Sequence, residues 1–168
     1  MTRYLALLRA IGPATHAKMP LRALAERIEG AVNIGNTGNI ILAAASAGEA
    51  KALVSEVVAG FGLDSDVFIR SRRQMQMLIN LSPFPEAQAK WPNALGVCFF
   101  HKAPAWPAAY RRYAGPEHLM MFSNHLIVDY GGQITGSRLT IEKTTGARMT
   151  QRNWSSVLRL ATQLGIAA

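Results

Sequence analysis

Apolar positions fall along the chain in short blocks separated by Gly, Pro and Asn, and the spacing within each block predicts its element. Tyr4 to Ile11 is apolar except for Arg9 and is closed by Gly12-Pro13, which predicts a strand. Pro20 takes the favoured first-turn position of a helix in which Leu21, Leu24, Ala25 and Ile28 recur at helical spacing until Gly30. Val32 to Ile34 and Asn39 to Ala43 predict two strands joined through Gly35-Asn36-Thr37-Gly38, residue types that supply the positive φ of a tight hairpin. Ser46 and Glu49 form a capping box ahead of Leu53, Val54, Val57, Val58 and Phe61, one apolar helix face. Asp66 to Arg70 predicts a short strand. Ser71 with Gln74 makes a second box before Met75, Leu78 and Ile79.

Ser82 to Pro92 holds three prolines and no periodicity, so it reads as a linker. Beyond it, Leu95 to His101 predicts a strand and Trp106 to Tyr113 a short helix. Leu119 to Ser123 and His125 to Tyr130 predict a hairpin turning near Asn124 and ended by Gly131-Gly132. Ser137 to Thr145 reads as a weak helix. A final helix carries Trp154, Val157, Leu158, Ala161 and Leu164 on one face. The second half repeats the element order of the first without a clear last strand. The architecture that follows is α+β, a tandem duplication of two split β-α-β (ferredoxin-like) units with a C-terminal helix. The expected boundaries are 1–81 for the first unit, 82–93 for the linker and 94–168 for the second unit, either as separate units or as one intertwined domain.

Composition narrows the class of protein without naming a reaction. With 49% apolar and 17% charged residues the chain has a core to bury, and disorder is disfavoured. The single cysteine, Cys98, cannot form an internal disulfide. The apolar stretch at the N-terminus is too short for a signal-peptide core, and Gly30 to Gly48, the longest uncharged stretch, is interrupted by Asn33, Asn36 and Asn39. These features predict a soluble cytoplasmic protein with no membrane partner. Eighteen basic residues against ten acidic ones favour polyanionic partners. Ser137 to Ala168 alone holds Arg138, Lys143, Arg148, Arg152 and Arg159 against the single acid Glu142. Arg forms planar bidentate bonds to phosphate, although a chain-wide preference for Arg over Lys would produce the same cluster by composition alone.

Motifs for particular chemistries fail one at a time. Gly35 to Asn39 lacks the Lys-Ser/Thr ending of a nucleotide-triphosphate loop, and turn chemistry accounts for its residues. Asn39 to Ala45 carries no aromatic of the kind that stacks bases on a central strand, while Trp106, Tyr110, Arg111, Arg112 and Tyr113 interleave aromatics with bases locally or form an amphipathic helix. His16, His101, His118 and His125 show no metal-ligand spacing, His118 and His125 being out of register across their hairpin. Cys98 reads as a small buried apolar residue. No nucleophile elbow and no general base stand out, and nothing calls for a metal or a cofactor.

Several blocks resemble a bacterial family known as the domain of unknown function 1697. They are Tyr4-Leu5-Ala6-Leu7-Leu8-Arg9, Thr37-Gly38-Asn39, the Asn80 to Phe84 region with Trp91, and Thr150-Gln151-Arg152-Asn153-Trp154 with Val157. The resemblance implies a tandem α+β duplication whose units share or exchange strands, and it implies no settled activity. Members usually carry Gly-Ile-Asn after the first Arg, where this chain has Ala10-Ile11-Gly12, and Ser where Thr37 stands; Pro13-Ala14-Thr15-His16 replaces a glycine-rich continuation.

The candidate ligand-binding residues are Arg9, Thr37, Asn39, Arg138, Arg152 and Asn153. Arg152 is either an anion clamp at the start of the last helix or part of its structure, with Asn153 or Thr150 as cap and Trp154 in the core. Three readings of function follow. One is a binder of phosphate-bearing ligands or nucleic acid through the basic C-terminal surface. Another is an enzyme acting on a phosphorylated small molecule in a cleft between the two units. A homo-oligomeric module without a ligand is the third class.

Overall fold

The computed structural model of the chain describes residues 1–105 and 108–167. The first half runs β1 (Thr2–Leu8), α1 (Pro13–Lys18), α2 (Leu21–Glu26), β2 (Val32–Asn33), β3 (Asn39–Ala44), α3 (Ala47–Gly60), β4 (Val67–Ser71) and α4 (Arg72–Leu81). After α5 (Pro85–Lys90) and a 3-10 turn (Pro92–Ala94), the second half runs β5 (Leu95–Phe100), α6 (Ala108–Arg111), β6 (His118–Phe122), β7 (His125–Asp129), α7 (Ile141–Thr145), β8 (Met149–Asn153) and α8 (Trp154–Gln163). The strands form two four-stranded sheets, ordered β2-β3-β1-β4 and β6-β7-β5-β8, with every neighbouring pair antiparallel. Each is the split β-α-β arrangement, so the protein is α+β with two similar units.

Register makes the repeat residue-specific. Leu7 faces Asn39 in the first sheet and Phe99 faces His125 in the second; Leu5 faces Arg70 and Val97 faces Arg152. Arg70 and Arg152 therefore hold the same place in their sheets, as do Ser71, opposite Tyr4, and Asn153, opposite Gly96. In the first unit Ala6 and Leu8 of β1 and Ile40, Leu42 and Ala44 of β3 pack with Leu24 of α2 and Ala50, Val54 and Val58 of α3. In the second, Cys98, Phe100, Leu126 and Val128 pack with Tyr110 and Ile141. The intervening residues Leu5, Leu7, Ile41, Val97, Phe99 and Ile127 are buried as well. The central strands are apolar on both faces for that reason, and they read as runs rather than as alternation.

Local signals explain the helix starts. Ser46 Oγ accepts from the Glu49 N–H at 3.1 Å, and the Ala45 N–H donates back to Glu49. Ser71 Oγ accepts from the Gln74 N–H at 3.1 Å while Gln74 Oε1 accepts from the Ser71 N–H at 2.8 Å, the reciprocal box that the spacing predicts.

Several sequence expectations change. Pro13 opens a helix of its own, α1, using the missing N–H that suits a first turn. The expected linker carries α5 and the 3-10 turn, entered through Ser82 and Phe84 at φ 46 and 48. The weak helix from Ser137 shrinks to Ile141–Thr145, ended by Gly146 in the left-handed region. The second half does own a fourth strand, β8, so Arg152 sits in a strand rather than at a helix start. The helix expected from Trp106 is observed over Ala108–Arg111, and Trp106 itself lies outside the described residues.

The chain divides into two compact units, Met1–Met77 with Leu160–Ala168, and Leu78–Arg159. Each sheet takes all four of its strands from its own half, and among the described residues no strand is common to both. The segment that counts with the opposite half is helical, the end of α8.

Candidate functional site

In the first unit the loop after β1 meets the β2–β3 turn. The Leu8 N–H donates to Gly38 O at 2.8 Å, and a Cβ on Gly38 (φ 87) would fall 2.7 Å from Ile11 Cγ1, so this approach requires glycine. Asn39 is buried, and its Nδ2 donates to Ile34 O at 3.1 Å and to Thr37 Oγ1 at 2.9 Å, which holds the exposed Thr37 at the tip of the turn. Arg9, half-buried, is fixed through its backbone: its N–H donates to Asp66 O at 3.0 Å and its carbonyl accepts from Ser65 Oγ at 2.6 Å. His16 Nε2 donates to Asn36 O at 2.8 Å and ties α1 to the same turn. Three of the six candidates, Arg9, Thr37 and Asn39, thus gather at one end of the first sheet. His16 joins them unannounced, because its partner is a backbone carbonyl 20 residues away that no side-chain motif marks.

The other three belong to the second unit. Arg152 is buried in β8, where its Nη1 donates to Thr150 Oγ1 at 2.6 Å and to Gln151 O at 3.0 Å. Burial lowers its pKa to about 10. Arg70 is buried at the equivalent position of β4, donates to Ile69 O at 2.9 Å and is lowered to about 10 by the same cause. Asn153 Oδ1 accepts from the Ser156 N–H at 2.9 Å and is the cap of α8, with Trp154 buried behind it. Arg138 is exposed in the loop before α7. Lys143, Arg148 and Arg159 are exposed too, and none of these four bases makes an ion pair among the described residues.

The second unit also holds a constellation with no sequence motif. Glu117, only 5% exposed, accepts from Ser137 Oγ at 2.6 Å and from Tyr113 Oη at 2.5 Å. These two bonds hold its carboxyl below the usual range, Ser137 contributing most, and the bond to Glu117 pushes the Tyr113 phenol up to about 12. The carboxylate lines a cavity of about 290 Å³ with Pro116, Tyr130, Gly131, Gln133, Thr135 and Ser137. Tyr113-x-Gly115-x-Glu117 is a local signal that reading could have caught, since a Cβ on Gly115 would run into the Tyr113 ring. Ser137 had none.

His125 and Cys98 are packed into the second unit. His118 faces Asp129 and His125 faces Phe122, so the hairpin histidines are out of register. His125 is buried with its ring edge-on to Phe99 at 5.2 Å. Cys98 is buried and its thiol pKa is pushed up by desolvation. Among the described residues no three His, Cys, Asp or Glu side chains are placed to hold a metal ion, and no helix is long and apolar enough to cross a membrane.

Two sheets of identical strand order, each with a buried Arg on its β4-type edge strand, define a duplicated split β-α-β protein. A solved structure of this kind, the conserved bacterial protein SP0830 from Streptococcus pneumoniae, matches with a TM-score of 0.64 over 98% of this chain and 99% of its own, at 16% identity. The chain belongs to the family described as "Protein of unknown function (DUF1697)", whose model matches residues 1–117. The match ends before β6, so the Arg152-Asn153-Trp154 block lies outside it. No curated protein matches the chain.

Proposed function

We propose that this protein binds phosphate-bearing polyanions through the exposed bases of its C-terminal region. One observation carries the reading: Arg138, Lys143, Arg148 and Arg159 are all exposed, close in sequence and without an ion pair among the described residues. A polyanion would meet four cationic groups whose charge no carboxylate already neutralises, and it would release condensed counterions on binding. Arg152 and Asn153 belong to the same C-terminal segment as a buried guanidinium in β8 and the cap of α8. Arg9 and Thr37 in the first unit belong to the proposal as further phosphate contacts, with Asn39 positioning Thr37.

The test is fluorescence anisotropy with a labelled single-stranded RNA across a salt series. If the four bases each contact a phosphate, the slope of log K against log salt is about −3, at about −0.7 per contact for a single strand. Replacing Arg138, Lys143, Arg148 and Arg159 together by Gln abolishes most of the affinity without lowering the melting temperature. Arg152→Ala does the reverse, because it removes a buried, hydrogen-bonded group and lowers stability by about 1–3 kcal/mol. Equal affinity of the fourfold variant and the wild type, or no salt-sensitive binding at low ionic strength, overturns the reading.

A further inference from the structure

We propose that the cavity beside Glu117 is a binding site for a small organic cation, a guanidinium or primary ammonium group. This site is independent of the polyanion surface and opposite to it in charge. Glu117 is ionised at neutral pH, since both hydrogen bonds it accepts favour the charged form. It is also buried, and it makes no ion pair among the described residues; its two partners, Ser137 and Tyr113, are neutral hydroxyls. Two neutral hydroxyls stabilise the carboxylate but do not cancel its charge, so the wall of the cavity carries a formal negative charge with no cation paired to it among the described residues.

The lining suits a donor. Each Glu117 oxygen accepts one bond and keeps further lone-pair capacity. Tyr130 spends its proton on Gln151 Oε1 at 2.9 Å and so brings no hydroxyl donor of its own to Glu117. Ser137 likewise spends its proton on Glu117 while accepting weakly from the Leu139 N–H. Thr135 and Gln133 complete a wall rich in oxygen. A volume of about 290 Å³ admits a guanidinium or ammonium group together with the short chain that carries it. The Tyr113 contact depends on Gly115 and the Ser137 contact on the loop before α7, so the charge is held by two segments.

The probe is methylguanidinium chloride, followed by amide NMR at constant ionic strength with potassium chloride as the balancing salt. N-methylurea, of nearly the same shape and uncharged, is the control. Saturable shifts at Gly131, Gly136 and Ser137 with methylguanidinium and none with N-methylurea are expected. Glu117→Gln weakens methylguanidinium by at least about tenfold. An arginine-containing pentapeptide in a second arm separates the sources: saturation by the peptide assigns the site to a side chain, and saturation by the free cation alone assigns it to a small molecule. Equal response to the cation and the urea in the wild type, which requires no variant to fold, overturns the proposal. So does a Glu117→Gln protein of unchanged affinity.

Discussion

Glu117 and the two arginines Arg70 and Arg152 are charges taken out of water in different ways. Each arginine shows burial as the cause of its lowered pKa, so its charged form is disfavoured by the fold. Glu117 goes the other way because Ser137 and Tyr113 hydrogen-bond the carboxylate itself. The sign of the pH dependence follows. A carboxyl whose folded pKa lies below the ordinary 4.5 adds stability above that value, and the contribution is lost as the pH falls through the folded value. The wild type should therefore lose more stability than Glu117→Gln on going from about pH 7 to about pH 3, read as the shift in urea midpoint. Parallel pH profiles for the two proteins would show that the bonds from Ser137 and Tyr113 give no net preference for the carboxylate.

Among the elements, α4 and α8 are the clearest repeat. Both follow an edge strand without a gap, both are preceded by a buried Arg, and both begin at a side-chain cap: Ser71 for the first and Asn153 for the second. Substituting Asn153 by Ala leaves the Ser156 N–H without its partner and should cost about 1 kcal/mol in urea denaturation, with Asn153→Asp recovering most of it. RNA affinity should stay unchanged, since a cap is a local device and the exposed bases keep their positions. A loss of affinity with unchanged stability would move Asn153 from structure to ligand contact. Two non-glycine residues with positive φ, Ser82 and Phe84, bracket the turn from α4 to α5, and there the proline density of the sequence correctly ended one helix and concealed the start of the next.

For the whole molecule, a formal charge of +8 means that the folded chain repels itself, and Arg22–Glu26 is an exposed i,i+4 pair of little weight. Raising salt from about 50 to 500 mM should therefore raise the melting temperature slightly while weakening RNA binding, opposite responses from one variable. A melting temperature that falls with salt would mean that attraction between surface charges outweighs repulsion. How much the sequence told follows from the range of each interaction. It fixed α3 and α4 because periodicity and capping residues lie within a few positions of one another, and it fixed the β2–β3 turn because Gly38 must adopt a backbone conformation only glycine takes easily. Helix α2 was placed correctly but ends at Glu26, short of the expected Gly30, and Pro20 is its N-cap. The element order further identified a duplicated α+β protein. Strand β8 escaped notice because Met149-Thr150-Gln151-Arg152-Asn153 has no apolar alternation; its place comes from pairing with β5, more than 50 residues earlier in the chain. That pairing put Arg152 inside the fold rather than at a surface. Tertiary folding likewise brought Ser137 to Glu117 across 20 residues. Sequence alone settled what neighbours along the chain settle; burial and the partners of buried charges were decided by strand pairing, because desolvation depends on which distant segments close over a group.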